Sequence, residues 1–134
     1  MDRERLERTL EQFFSADTRG VAAVYLFGST ARGSARAQSD VDVAILYRKA
    51  PEPVLAGLPL DVEAALEARL GRPVQAIVLN TAPVDLVHRV LRDGRLLLDA
   101  DRSARIQFEV KARSEYFDLE PILRRYRRGR EAGR

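Results

Sequence analysis

Two short segments of this chain hold residue types that could do chemistry together: Gly28-Ser29 and, after ten intervening residues, Asp40-Val41-Asp42. Side chains two apart on a strand point to the same face, so Asp40 and Asp42 would project together, with Cα atoms roughly 6.5–7 Å apart. Two carboxylates so placed are hard oxygen donors for a shared divalent cation, of which Mg²⁺ is the usual one. Val41 and Val43 would then face the other way, toward a core. Gly28 ends an apolar run at a point where backbone must come close to something. Ser29 leads into the small, polar Thr30-Ala31-Arg32-Gly33 and offers a hydroxyl and forward-pointing N–H groups at the start of a short helix, a natural seat for phosphate. Arg32 lies one turn further on and can reach the same anion. Each piece is common alone; an anion cradle beside a cation-binding carboxylate pair is the equipment of phosphoryl or nucleotidyl transfer.

These residues need elements to hold them. Leu6, Leu10, Phe13 and Phe14 recur at helical spacing, so the first 15 or so residues read as an amphipathic helix. The run Val21 to Phe27 is apolar, β-branched and aromatic, and reads as a buried strand that stops at Gly28. Val41 to Tyr47 is a second strand. Pro51-Glu52-Pro53 marks a loop. A helix is expected from about Asp61, as its N-cap, to Leu70, ended by Gly71. On it Glu63 and Glu67 read as a solvated face. Val74 to Leu79 is a third strand. Leu86, Val87, Val90 and Leu91 form a helical stripe ending at Gly94, with Asp85 at that helix start. Leu96-Leu97-Leu98 fits an edge strand. From Ser103 onward Ile106, Val110, Tyr116, Phe117, Leu119 and Ile122 fit one long helix or two short ones. One α/β domain accounts for the whole chain.

Composition narrows the chemistry. With 134 residues, 46% hydrophobic and 32% charged, the chain suits a single globular core. It has no cysteine, which excludes disulfides, thiolate metal sites and thiol catalysis, and its single histidine, His88, argues against a structural zinc site or a Ser-His-Asp triad. No stretch approaches the roughly 20 apolar residues of a membrane span, and Met1-Asp2-Arg3-Glu4-Arg5 lacks an apolar signal core. The expectation is a cytoplasmic protein without a membrane partner. The formal charge is +3, yet from Arg124 the chain carries six arginines against one glutamate, leaving the remainder slightly acidic. That basic C-terminal tail reads first as a solvated terminus, and alternatively as a seeker of phosphate or of an acidic partner.

Gly28-Ser29-Thr30-Ala31-Arg32-Gly33, followed by Ser39-Asp40-Val41-Asp42-Val43-Ala44-Ile45-Leu46, resembles the signature of the DNA polymerase β nucleotidyltransferase superfamily, in its minimal nucleotidyltransferase branch. The resemblance continues, more loosely, through Val78-Leu79-Asn80-Thr81-Ala82-Pro83 and Val90 to Leu97. It implies a mixed β-sheet flanked by helices, with Gly28, Ser29 and Arg32 on the triphosphate of ATP or another nucleoside triphosphate and Asp40 and Asp42 on Mg²⁺. It further implies a HEPN-type toxin as partner, with this chain as the antitoxin, and transfer of AMP from ATP to a toxin tyrosine; nucleic acid is not the expected partner.

Active members of that superfamily carry a third carboxylate on a following strand, and the matching position here is Gln75. An amide oxygen can bind a metal but carries no charge and cannot act as a general base. Two further readings therefore stand beside the transferase. One is a degenerate antitoxin that neutralises its partner by binding. The other, favoured only by the arginine tail, is a transferase directed at nucleic acid. Asp61 and Asp85 are read as helix-start residues, His88 as a surface or satisfied polar residue, and Tyr25 and Phe27 as core beside the site. Tyr47 is read as core or edge more than as a base-stacking ring. Leu119, Ile122 and Tyr126 fit a partner stripe and docking onto the domain equally well, and the sequence leaves the oligomeric state, homo- or hetero-, open.

Overall fold

The computed structural model describes residues 3–17, 20–28, 40–51 and 57–132. Ser29 and Arg32, with Thr30, Ala31, Gly33 and Ser39, lie outside the described residues, as do Glu52 and Pro53. The described elements run α1 (Arg3–Ser15), β1 (Val21–Phe27), β2 (Val41–Tyr47), α2 (Gly57–Leu70), β3 (Val74–Val78), a 3₁₀ turn (Leu79–Thr81), α3 (Val84–Asp93), β4 (Arg95–Asp99) and α4 (Arg102–Ala132). The four strands form one mixed sheet in the order β3-β2-β1-β4, with β1 antiparallel to β2 and β4, and β2 parallel to β3. This is the mixed sheet flanked by helices that the resemblance implies, in an α+β arrangement.

The central strands β1 and β2 are apolar on both faces because both faces are covered. On one side Leu6, Leu10 and Phe14 of α1 and Val62, Leu66 and Leu70 of α2 pack on Val24, Leu26, Val43 and Ile45. On the other, Val87 and Val90 of α3, with Ala104, Phe108 and Ala112 of α4, pack on Tyr25, Ala44 and Leu46. Alternation along β2 sends Val41 and Val43 into the first layer, which leaves Asp42 on the α3/α4 side.

Side chains complete the sheet where backbone cannot. Asn80 does so at the end of β2: its Oδ1 accepts from Tyr47 N and its Nδ2 donates to Tyr47 O, both at 2.9 Å. Along the outer side of β3, Glu67 Oε1 accepts from Val74 N at 3.0 Å and Glu63 Oε2 from Ala76 N at 2.8 Å. The expected solvated face of α2 thus carries the two acceptors of an otherwise unpaired strand edge.

Two expectations need correction here. Asp61 does not cap α2: the helix begins four residues earlier, at Gly57, and Asp61 is exposed within it. The overlooked signal is Pro59, whose missing N–H is harmless in a first turn, where N–H groups have no helical acceptor. Asp85 stands in the first turn of α3, but Pro83 occupies the cap position and no side chain makes a cap hydrogen bond. At the C-terminus the arginines from Arg124 to Arg128 lie within α4, a single helix of 31 residues with Pro121 inside it. Among the described residues no helix is long and apolar enough to cross a membrane.

Candidate active site at the end of the central strands

Phe27, Asp42 and Gln75 form a row across three strands: Phe27 pairs with Asp42 in the antiparallel register, and Asp42 with Gln75 in the parallel one. Neighbours in such a row point to one face. Asp42 is half-buried and Gln75 exposed. Asp40 precedes β2 and is exposed. Burial, and after it the negative charge of Asp40, pushes the Asp42 carboxyl above its ordinary value, so the two aspartates sense each other as the spacing requires.

Gly28 turns the chain away from β1 with φ of +67°, a left-handed conformation that a side chain disfavours by about 1–2 kcal/mol. A Cβ at this position would overlap Oδ2 of Asp42 and come within 3.3 Å of its Cγ. Glycine is needed twice, once for its backbone angle and once for the carboxylate beside it. The close approach expected at Gly28 is an approach to Asp42 itself.

The same end of the sheet receives the end of α3. Gly94 donates its N–H to Val90 O at 2.7 Å, and a Cβ on Gly94 would stand 2.9 Å from Leu26 O. Bare backbone at Gly94 therefore lets α3 close onto β1 one residue from Phe27. Arg92 and Asp93, joined by hydrogen bonds of 3.0 and 2.8 Å, are carried to this end as an exposed pair. Arg72 is buried between Gly71 and Pro73, just before β3 starts level with Val41. Sequence reasoning passed over Arg72, because an arginine in a Gly-Arg-Pro turn gives no signal that it will be enclosed.

Other residues fall away from this end. Tyr47, buried at the opposite end of β2, is core and is not available to stack on a base beside Asp42. A cleft of about 260 Å³ lined by Asn80, Phe108, Lys111 and Glu115 is at that opposite end too. His88 stacks on Tyr116, with ring centroids 3.5 Å apart and planes 3° from parallel, and so helps hold α4 to α3. Tyr25 donates to Glu109 Oε1 at 2.7 Å; Glu109 and Asp99 each pair with Arg105 at 3.0 Å. This ties α4 to β1 and β4. Among the described residues no group of three or more His, Cys, Asp or Glu side chains is set to hold a metal.

Comparison with known proteins bears on this arrangement. None of the curated proteins searched matches the chain. Among solved structures, a toxin–antitoxin structure with AMP-PNP superposes with a TM-score of 0.75 at 23% identity, over 90% of this chain and 94% of that one. The complex of tri-AMPylated Shewanella oneidensis HEPN toxin with MNT antitoxin gives a TM-score of 0.74 at 20% identity, over 93% and 95%. These likenesses are of fold. A structure proposed to be a minimal nucleotidyltransferase is 33% identical over 70% of this chain and 94% of that one, with a TM-score of 0.57. The family model "Polymerase beta, Nucleotidyltransferase" matches residues 8–103, which span α1 through the start of α4 and include Gly28, Asp40 and Asp42. The chain belongs to the polymerase β nucleotidyltransferase family.

Proposed function

We propose that this chain is an antitoxin that transfers AMP from ATP, with Mg²⁺, to a tyrosine hydroxyl of a HEPN-type toxin. The observation that carries the reading is the Asp42 carboxylate seated against Gly28 at the end of β1, with Asp40 beside it. The pair fits Mg²⁺: both are hard oxygen donors, and a cation between them would offset the desolvation and mutual repulsion that raise Asp42. Bound there, Mg²⁺ would neutralise triphosphate charge. Gly28 keeps the backbone close to the phosphates, Ser29 holds them through its hydroxyl and N–H groups, and Arg32 adds positive charge. In the transfer the tyrosine oxygen bonds to the α-phosphorus, the α–β phosphoanhydride bond breaks, pyrophosphate leaves and the phenolic proton is released. Gln75, opposite Asp42, contributes no carboxylate to take that proton. Support for the partner and nucleotide comes from the related folds crystallised with AMP-PNP and with an AMPylated HEPN toxin.

A second reading, favoured by Gln75, is an antitoxin that binds nucleotide and toxin but neutralises by masking. Label from α-³²P-ATP separates the two: the wild type with Mg²⁺ and a co-expressed HEPN-type protein is expected to label it, and the Asp40→Asn/Asp42→Asn variant is not. No labelling, with a tight complex and intact ATP binding, sinks the transferase reading in favour of masking.

A further inference from the structure

We propose that the half of α4 beyond Tyr116 is a docking arm for a protein partner whose receiving face is apolar and rimmed by acidic side chains. The proposal rests on the antitoxin reading above, which supplies the partner, and adds the surface that holds it.

The face of α4 that meets the body is built from residues four apart: Ala104, Phe108 and Ala112 pack into the α3-side core, and Tyr116 stacks on His88. At 3.6 residues per turn the same stripe continues through Leu119, Ile122 and Tyr126. Past Leu119, which is still partly buried, the stripe opens to solvent. Ile122 is 60% and Tyr126 65% exposed. The helix persists to Ala132, so roughly 24 Å of helix follows Tyr116 at 1.5 Å per residue. A stripe partly buried as far as Leu119 and largely exposed at Ile122 and Tyr126 is suited to contact with something outside the described body.

Charge selects the occupant. Arg124, Arg125, Arg127 and Arg128 are exposed around Tyr126, and Glu120 pairs with Arg124. Two copies of this arm laid together would bring arginines against arginines, whereas an acidic rim would be matched by them. A nucleic acid would satisfy the arginines and could stack on Tyr126, yet it would leave the aliphatic Ile122 and Leu119 without a complement. An apolar groove with acidic edges matches both the stripe and the arginines beside it, in the manner of an amphipathic helix laid in a groove.

The test uses the full chain co-expressed and co-purified with, and titrated by calorimetry against, a HEPN-type protein. An Ile122→Asp/Tyr126→Asp variant is expected to bind that protein about 100-fold more weakly. Its helical circular dichroism and its affinity for a fluorescent ATP analogue are expected to stay unchanged. An Arg125→Glu/Arg128→Glu variant is expected to weaken the complex and flatten its salt dependence. Binding by the first variant within error of wild type overturns the arm while leaving the antitoxin reading standing. So does a dimer of this chain alone that the variant breaks, or an affinity for single-stranded RNA that the variant removes while the protein complex survives. Failure of the wild type to bind the HEPN-type protein removes the antitoxin reading, and the arm with it.

Discussion

Gly28 and Asp42 occupy adjoining volumes: the hydrogen that glycine carries in place of a side chain is what leaves room for the Asp42 carboxylate. The pairing of Phe27 with Asp42 across β1 and β2 sets their level, and φ of +67° at Gly28 sets their separation.

Gly28→Ala is therefore expected to lose Mg-dependent ATP binding and label transfer together, and to destabilise the fold by about 2–4 kcal/mol from backbone angle and overlap combined. Adding Asp42→Ala removes the overlap and leaves the angle. Denaturant melts of the two single variants and the double variant should be non-additive by about 1–3 kcal/mol. Additive losses would show that the two residues do not crowd each other.

Gln75 faces Asp42 in register, so Gln75→Glu adds a carboxylate to the same row. Without Mg²⁺ the added charge should lower the melting temperature slightly by repulsion with Asp42. With Mg²⁺ it should raise labelling of the toxin by about tenfold or more, if proton removal from the acceptor limits the rate. Equal labelling by the two forms, at saturating Mg²⁺, would mean that β3 supplies nothing to the reaction.

Asn80→Ala removes both hydrogen bonds to the Tyr47 backbone. Leaving these partly buried groups unpaired should cost about 1–3 kcal/mol in urea melts. The site lies at the other end of β2, so ATP affinity at temperatures well below the melt should not change.

Tyr25 is held protonated by burial first and then by its hydrogen bond to Glu109, so its hydroxyl titrates well above the ordinary tyrosine value of 10.0. The folded form then keeps a proton that the unfolded chain gives up. This contribution to stability is fully present below pH 10 and falls as pH rises above it. Ultraviolet titration should show a tyrosine component ionising late and together with unfolding, and Tyr25→Phe should reduce that component. A Tyr25 that ionises reversibly near pH 10 in the folded state would contradict this.

The strands β1 and β2 were legible to the residue, because a short β-branched run bounded by glycine or a polar turn admits little else. The side of the sheet that carries Asp42 was legible for the same reason: strand alternation sends it to the face opposite Val41 and Val43. The beginning of α2 was not, since Asp61 offered a cap signal and the physical start is marked only by a tolerated proline. The roles of Glu63 and Glu67 were hidden because they arise between elements: nothing local says that a helix will lie along the edge of β3. Leu119, Ile122 and Tyr126 were ambiguous until packing ended the docked face near Tyr116, since periodicity reports which face is apolar and not what covers it.

The glutamates along β3 have one more effect. A strand arriving from another molecule would find the Val74 and Ala76 donors already taken by carboxylates, and would have to displace two charged groups to extend the sheet. Edge-to-edge growth, the usual route from an exposed strand to aggregates, is thereby discouraged on the β3 side. Replacing Glu63 and Glu67 by alanine would leave both donors open, so that variant should show a tendency to self-assemble that the native edge conceals.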